Sequence, residues 1–363
     1  MKKKSQGKLG TREFTSLLLL AVGLKLSDTT PTLLLEKGET AGWIIPLLAF
    51  VPISISLLVL LSVLRKYPDK GLMELISELA GKYGGVAIGL ILFVATLAST
   101  ALESRSYVDI VNTMVYQRTP IPALYLMMML AAYYVANRGF EAIGRTAWII
   151  IPYIEIAVLM LVWFVYRDVD WLHLFPIAGP GGTVLVKESM SHISMYREII
   201  LLTAFIPFAK SYKDFRLATV VGSTVSVFKI ALITAVYVAV FDYPAARNIA
   251  YPFQQLTRSA SIGQIITHVE SLFLAFWLIA TIIYFAIQVY ILAFLFARMM
   301  QLDEFEPLIL PLAGLALLLG LLPGNISRVM HYRDLLMQNS TAIYLLLPFL
   351  LWALDRYRRR VKH

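Results

Sequence analysis

From Phe14 to Trp352 the chain passes through one long apolar block after another, many near the ~20 residues that cross a bilayer core as a helix. Backbone in lipid has no water to bond, so such blocks must satisfy their own N–H and C=O groups, which helices do. Composition supports the same reading. Hydrophobic residues make up 59% of the chain and charged residues 15%, against about 45–50% and about 25% in soluble domains. A soluble enzyme, a disordered chain and a coiled coil all fit this composition poorly. The expected fold is an all-α integral membrane protein, one membrane domain over residues 1–363. Lys2 to Lys4 ahead of Phe14 to Leu24 imitates a signal peptide, but no small-residue cleavage site follows, so the segment is expected to stay as the first span.

The blocks place about ten spans, at 13–35, 42–64, 85–110, 120–137, 146–166, 190–209, 217–241, 267–297, 307–322 and 336–355. Lys and Arg fix their orientation. The N-terminus, the 65–82 loop, Arg138 with Arg145, Lys210 to Arg216, Arg298 and the 356–363 tail carry 20 basic residues, and the opposite loops carry 8. That asymmetry places both termini in the cytoplasm and explains the net charge of +9 without nucleic acid. The basic tail reads as an anchor on anionic lipid. Leu72, Leu75, Ile76 and Leu79 at helical spacing predict an amphipathic helix on the cytoplasmic surface. Ile249, Phe253 and Leu256 predict a short lid helix within the outer segment 242–264.

Ten spans divide into repeats over 1–166 and 190–355, and an odd number in each makes the two halves inverted. The first span of each half is interrupted. Span 1 reads Gly23-Leu24-Lys25-Leu26-Ser27-Asp28-Thr29-Thr30-Pro31, and span 6 contains His192, Ser194, Tyr196, Arg197, Glu198 and Pro207. Matched breaks of this kind point to a ligand site near the midplane. The expected ligand-binding residues are Gly23, Leu24, Lys25, Ser27 and Asp28 against Ser194, Tyr196 and Glu198. Free N–H groups would take the carboxylate of a small zwitterion, Asp28 or Glu198 its ammonium, and Tyr196 one wall. The alternative is that these polar groups satisfy one another and only hold the bundle together.

Charges at mid-depth cost a few kcal/mol each unless paired or hydrated. Lys25, Glu155, Glu198 and Lys229 fall at a common depth, so Lys25 is expected to pair with Glu155 or Glu198, in a position where it could replace a bound sodium ion. Glu103 and Arg105 in span 3 complete the set of coupling or structural charges, with Glu270 in span 8. Cysteine is absent and His192, His268 and His331 are scattered, so no metal or other cofactor is expected. No nucleophile, base and orienting group stand together, so no enzyme chemistry is expected.

Several segments resemble a known family. Thr119-Pro120, the run Ala136-Asn137-Arg138-Gly139-Phe140-Glu141-Ala142-Ile143-Gly144-Arg145, Tyr251-Pro252, and His268 through Trp277 resemble, in matching order, the B subunit of bacterial spore nutrient-germinant receptors. Glu103-Ser104-Arg105, Glu198-Ile199-Ile200 and Pro207-Phe208 fit its spans 3 and 6. The resemblance implies the amino acid–polyamine–organocation transporter superfamily, with its five-plus-five LeuT-like fold. It implies a small nutrient ligand such as an amino acid, an A-type membrane subunit and a C-type lipoprotein subunit as partners, and the spore inner membrane or cell membrane as location. The polar stretch Lys25 to Thr30 and the bulky pair Tyr196-Arg197 depart from the small residues expected at these breaks, so ligand identity does not carry over. A proton-coupled amino-acid transporter and a mainly structural partner of the A subunit are the competing readings.

Overall fold

The computed structural model describes residues 7–260 and 269–361. Lys2 to Lys4, the end of the 242–264 segment, His268 and Lys362 lie outside them, as does the side chain of Glu270. The described chain is helical apart from its turns and loops, with one isolated parallel bridge between Leu9 and Ala209. Its helices are α1 (Thr11–Ala21), α2 (Thr30–Gly38), α3 (Ile44–Leu64), α4 (Leu72–Met114), α5 (Ile121–Ala136), α6 (Phe140–Val165), α7 (Gly182–Ser191) and α8 (Arg197–Leu201). There follow α9 (Tyr212–Phe241), α10 (Tyr243–Ala246), α11 (Pro252–Ser259), α12 (Val269–Met299), α13 (Ile309–Gly320) and α14 (Ile326–Val361).

Among the described residues, six helices are long and apolar enough to cross a membrane: α3, α4, α6, α9, α12 and α14. The α1–α2 segment passes the same test as one span bent by 59°, and two further apolar helices are shorter. The chain is therefore an all-α membrane protein. Both expected interruptions are present as 3-10 turns, Gly23–Ser27 between α1 and α2 and Ile193–Tyr196 between α7 and α8. A second 3-10 stretch, Leu202–Phe208, carries Pro207, which has no N–H to donate to an α-helical ladder. Of the long helices α12 is the most enclosed and α6 the least. α12 packs against α4, α5 and α6, while α1 packs against α9 and α6.

The loops sort onto two ends. At one end Gly7 N–H donates to Glu141 (2.6 Å), Thr11 to Asp214 (2.9 Å), Lys66 to Asp355 (2.6 Å), and Arg298 pairs with Glu74 (3.0 Å). At the other, Lys37 meets Asp334 (3.0 Å), Thr40 donates to Pro176 O (2.7 Å) and Arg258 to Met114 O (3.0 Å). These are the two groups of loops that the basic residues separate.

Three elements differ from the sequence reading. The amphipathic helix exists as the start of α4, set off by Gly81 at φ 75°, a conformation costly for any residue with a Cβ. Its apolar face does not lie on lipid. Leu72, Leu75, Ile76 and Leu79 are buried, and the helix is tucked under the bundle with Met73 against Gly89. Span 6 begins earlier than 190, because α7 starts at Gly182. Span 10 begins earlier than 336, which moves Arg333 from an outer loop into the buried part of α14.

Candidate functional site

A break in a buried helix frees carbonyl groups that must find donors. In span 1 side chains from three other helices supply them. Tyr107 of α4 donates to Leu24 O (3.2 Å), Tyr237 of α9 to Leu26 O (2.7 Å) and Gln254 of α11 to Ser27 O (3.0 Å). Ser27 donates back to Leu24 O (2.7 Å) and accepts from Trp277 Nε1 of α12 (3.0 Å). Trp277 lies stacked on Tyr107, with ring centroids 5.4 Å apart. The break is thus held in shape, with the carbonyls of Leu24, Leu26 and Ser27 already bonded to side chains.

The charges around the two breaks form one alternating chain. Lys25 pairs with Glu198 (2.6 Å), Glu198 with Arg197 (2.8 Å), and Arg197 makes a two-pronged bond to Glu103 (2.9 and 2.6 Å). Arg333 approaches Glu103 at 3.9 Å and pairs with Asp28 at 2.8 Å. The chain of charges begins and ends on span 1, joins α4, α8 and α14, and sums to zero. Tyr284 of α12 donates to Glu103 (2.6 Å) and Gln288 to Glu198 (2.9 Å). Every member is buried, at 4–5% exposure for Glu103 and Arg333 and 2% or less for the others. Breaking one pair inside such a network costs about 3–5 kcal/mol, because a buried charge is left alone. Lys229 pairs with Glu155 separately, on the opposite side of Gly23, and Arg105 pairs with Asp109 (3.0 Å).

Two cavities lie on the other face of the span-1 break, under α11. The outer one has a volume of about 160 Å³ and is lined by Gln254, Thr257, Arg258, Met114 and Val115. The inner one, about 30 Å³, reaches Gly23, Leu24, Ser27 and Lys229. Phe253, Phe273 and Trp277 line both and divide them. Gln254 is 7% exposed, and its side-chain carbonyl oxygen has no hydrogen-bond partner among the described residues. Its amide nitrogen is committed to Ser27 O, which fixes which end is the acceptor. A buried, unmet acceptor at the wall of a cavity is a place for a ligand's N–H.

The structure therefore divides the expected site. Gly23, Leu24 and Ser27 face the inner cavity. Lys25, Asp28 and Glu198 belong to the charge chain. Ser194 is turned to α14, donating to Met337 O (2.6 Å), and Tyr196 to α3, donating to Pro46 O (2.9 Å). Tyr196 thus closes neither cavity. Sequence reasoning missed Gln254, Arg333, Gln288, Tyr284 and Tyr107. For Gln254 a signal existed, a polar residue between Phe253 and Leu256 on the buried face of α11. The lid helix itself was legible. His192 is bonded to Asp334 (2.7 Å), and no metal-holding cluster occurs among the described residues.

A family model described as "Spore germination protein" matches residues 14–329. Spore germination protein A2 of Bacillus subtilis (strain 168) is 26% identical over 374 residues, covering 99% of this chain and 98% of the relative. Spore germination protein KB of the same organism is 24% identical over 351 residues, covering 92% and 91%. Spore germination protein B2 is 23% identical over 249 residues, covering 68% and 67%.

Proposed function

The chain belongs to the spore germination protein family, and from that premise we propose that it is the nutrient-sensing membrane subunit of a spore germinant receptor. In this reading it sits in the spore inner membrane with both termini in the cytoplasm. It has ten spans in a five-plus-five inverted repeat, and works with an A-type membrane subunit and a C-type lipoprotein subunit. Its ligand is a small amino acid. The single observation that carries the proposal is the partitioned cavity at the span-1 break, with the unmet carbonyl oxygen of Gln254 in its wall. Gln254 accepts from the ligand's ammonium, Arg258 meets its carboxylate, and a small apolar side chain points past Phe253 and Trp277 toward Gly23. A cavity of about 160 Å³ is well below the ~300–1,000 Å³ of drug-sized sites, which suits a ligand of this size.

The charge chain favours sensing over transport. Alternating access would have to move spans 1 and 6 against α4 and α14, to which buried ion pairs fasten them. Proton-coupled amino-acid transport is the second reading, favoured by Lys229, which lines the inner cavity and pairs with Glu155. The test uses spores carrying this chain with its receptor partners and a panel of L-amino acids. Gln254→Leu should raise the germination midpoint about 10- to 150-fold, the worth of one hydrogen bond to a charged group. An unchanged midpoint at normal protein level places the ligand elsewhere. Uptake of labelled amino acid by vesicles containing the chain alone decides for the transporter.

A further inference from the structure

The two broken spans meet through one side chain. Lys25, inside the 3-10 turn Gly23–Ser27, donates to the carbonyl of Met195, inside the turn Ile193–Tyr196. It also donates to Glu198 Oε2 at 2.6 Å. The receiving oxygens are set without Lys25. Glu198 is held through its other oxygen by Gln288 (2.9 Å) and Arg197 (2.8 Å). Gln288 in turn donates to Tyr284 (2.8 Å). Met195 and Glu198 are 1% and 0% exposed. A carboxylate and a backbone carbonyl converging on one point suit a group with several N–H donors and no acceptor, which is an ammonium.

We propose that Lys25 is a tethered amine, filling from within the chain a primary-ammonium site between the two breaks, and that truncating its side chain uncovers that site for a free small alkylammonium. Lys25→Ala removes Cγ, Cδ, Cε and Nζ, which are the heavy atoms of n-propylammonium. The free ligand's own ammonium then has no place at Glu198 in the native protein. This inference does not rest on the cavity under α11, so either can fail without the other.

The experiment is thermal unfolding of purified full-length Lys25→Ala in detergent. Methyl-, n-propyl- and n-hexylammonium chlorides are the probes, with NaCl and tetramethylammonium chloride as controls. The native chain and Lys25→Met/Glu198→Gln run in parallel. Lys25→Ala should lose roughly 5–10 °C of Tm. n-Propylammonium should restore much of it saturably, better than the shorter or longer amine. The native chain and the doubly neutral variant should not respond. Restoration by NaCl to the same extent would assign the site to a metal cation and overturn the proposal. So would an equal response of the native chain, or a folded variant that no amine restores. If Lys25→Ala is recovered from membranes only when n-propylammonium is present throughout extraction, the proposal stands. If it is recovered in neither condition while Lys25→Met/Glu198→Gln is recovered, the proposal falls.

Discussion

At the scale of single residues the molecule is governed by what its buried charges do with one another. Arg333 is the clearest test. It holds Asp28 at 2.8 Å and also donates to Thr29. Arg333→Met should therefore cost about 3–5 kcal/mol of stability by leaving Asp28 alone. Arg333→Met/Asp28→Asn should recover part of that loss, with a coupling of about 0.5–3 kcal/mol in thermal unfolding of the four proteins. Additive losses would mean the two groups do not hold each other. Lys25, Glu155, Glu198 and Lys229 were readable in sequence because a charge inside an apolar block has few ways to be tolerated. Depth was readable too, and left two possible partners for Lys25, of which the fold uses Glu198. Direction was not. Next to a break the chain leaves the α-helical period, so Ser194 and Tyr196 turn to α14 and α3 instead of joining Gly23 and Ser27. Arg333 stayed hidden because Arg328, His331 and Asp334 around it read as a polar loop.

Elements were legible where apolar blocks were long and separated by proline or glycine, and less so where a helix packs on protein instead of lipid. The start of α4 shows why. An apolar stripe of the same spacing serves for a bilayer surface or for the underside of the bundle, and only the kink at Gly81 chooses. Gly81→Ala, forced to keep φ 75° and ψ 179°, should cost about 1–3 kcal/mol. Helix crossings make a second prediction. A Cβ on Gly320 would collide with the Tyr125 hydroxyl and stand 2.7 Å from Ala101 O, whereas one on Gly314 would meet nothing within 4 Å among the described residues. Gly320→Ala should thus lose about 1–3 kcal/mol by overpacking. Gly314→Ala, in the same helix, should be neutral or slightly stabilising, since alanine is the better helix former. Thermal unfolding of the two variants side by side separates close packing from helix propensity.

For the whole molecule, the two sets of end contacts make orientation directly testable, because the sequence contains no cysteine to label by accident. A single cysteine at Arg118 should react with an impermeant thiol reagent added outside intact cells. One at Arg358 should react only after the membrane is opened. The reverse pattern would invert the topology that the basic residues predict. The alternating chain of charges has a further consequence, which concerns the order in which the protein is made. Synthesis runs from the N-terminus, and Asp28 precedes its partner Arg333 by 305 residues. Within the network Lys25, Asp28 and Glu103 leave the first half with one surplus negative charge, and Arg197, Glu198 and Arg333 leave the second with one surplus positive. Neither half is electrically complete when it leaves the ribosome. Insertion of α14 supplies the charge that completes the first half, so a nascent chain stopped short of α14 leaves Asp28 without Arg333.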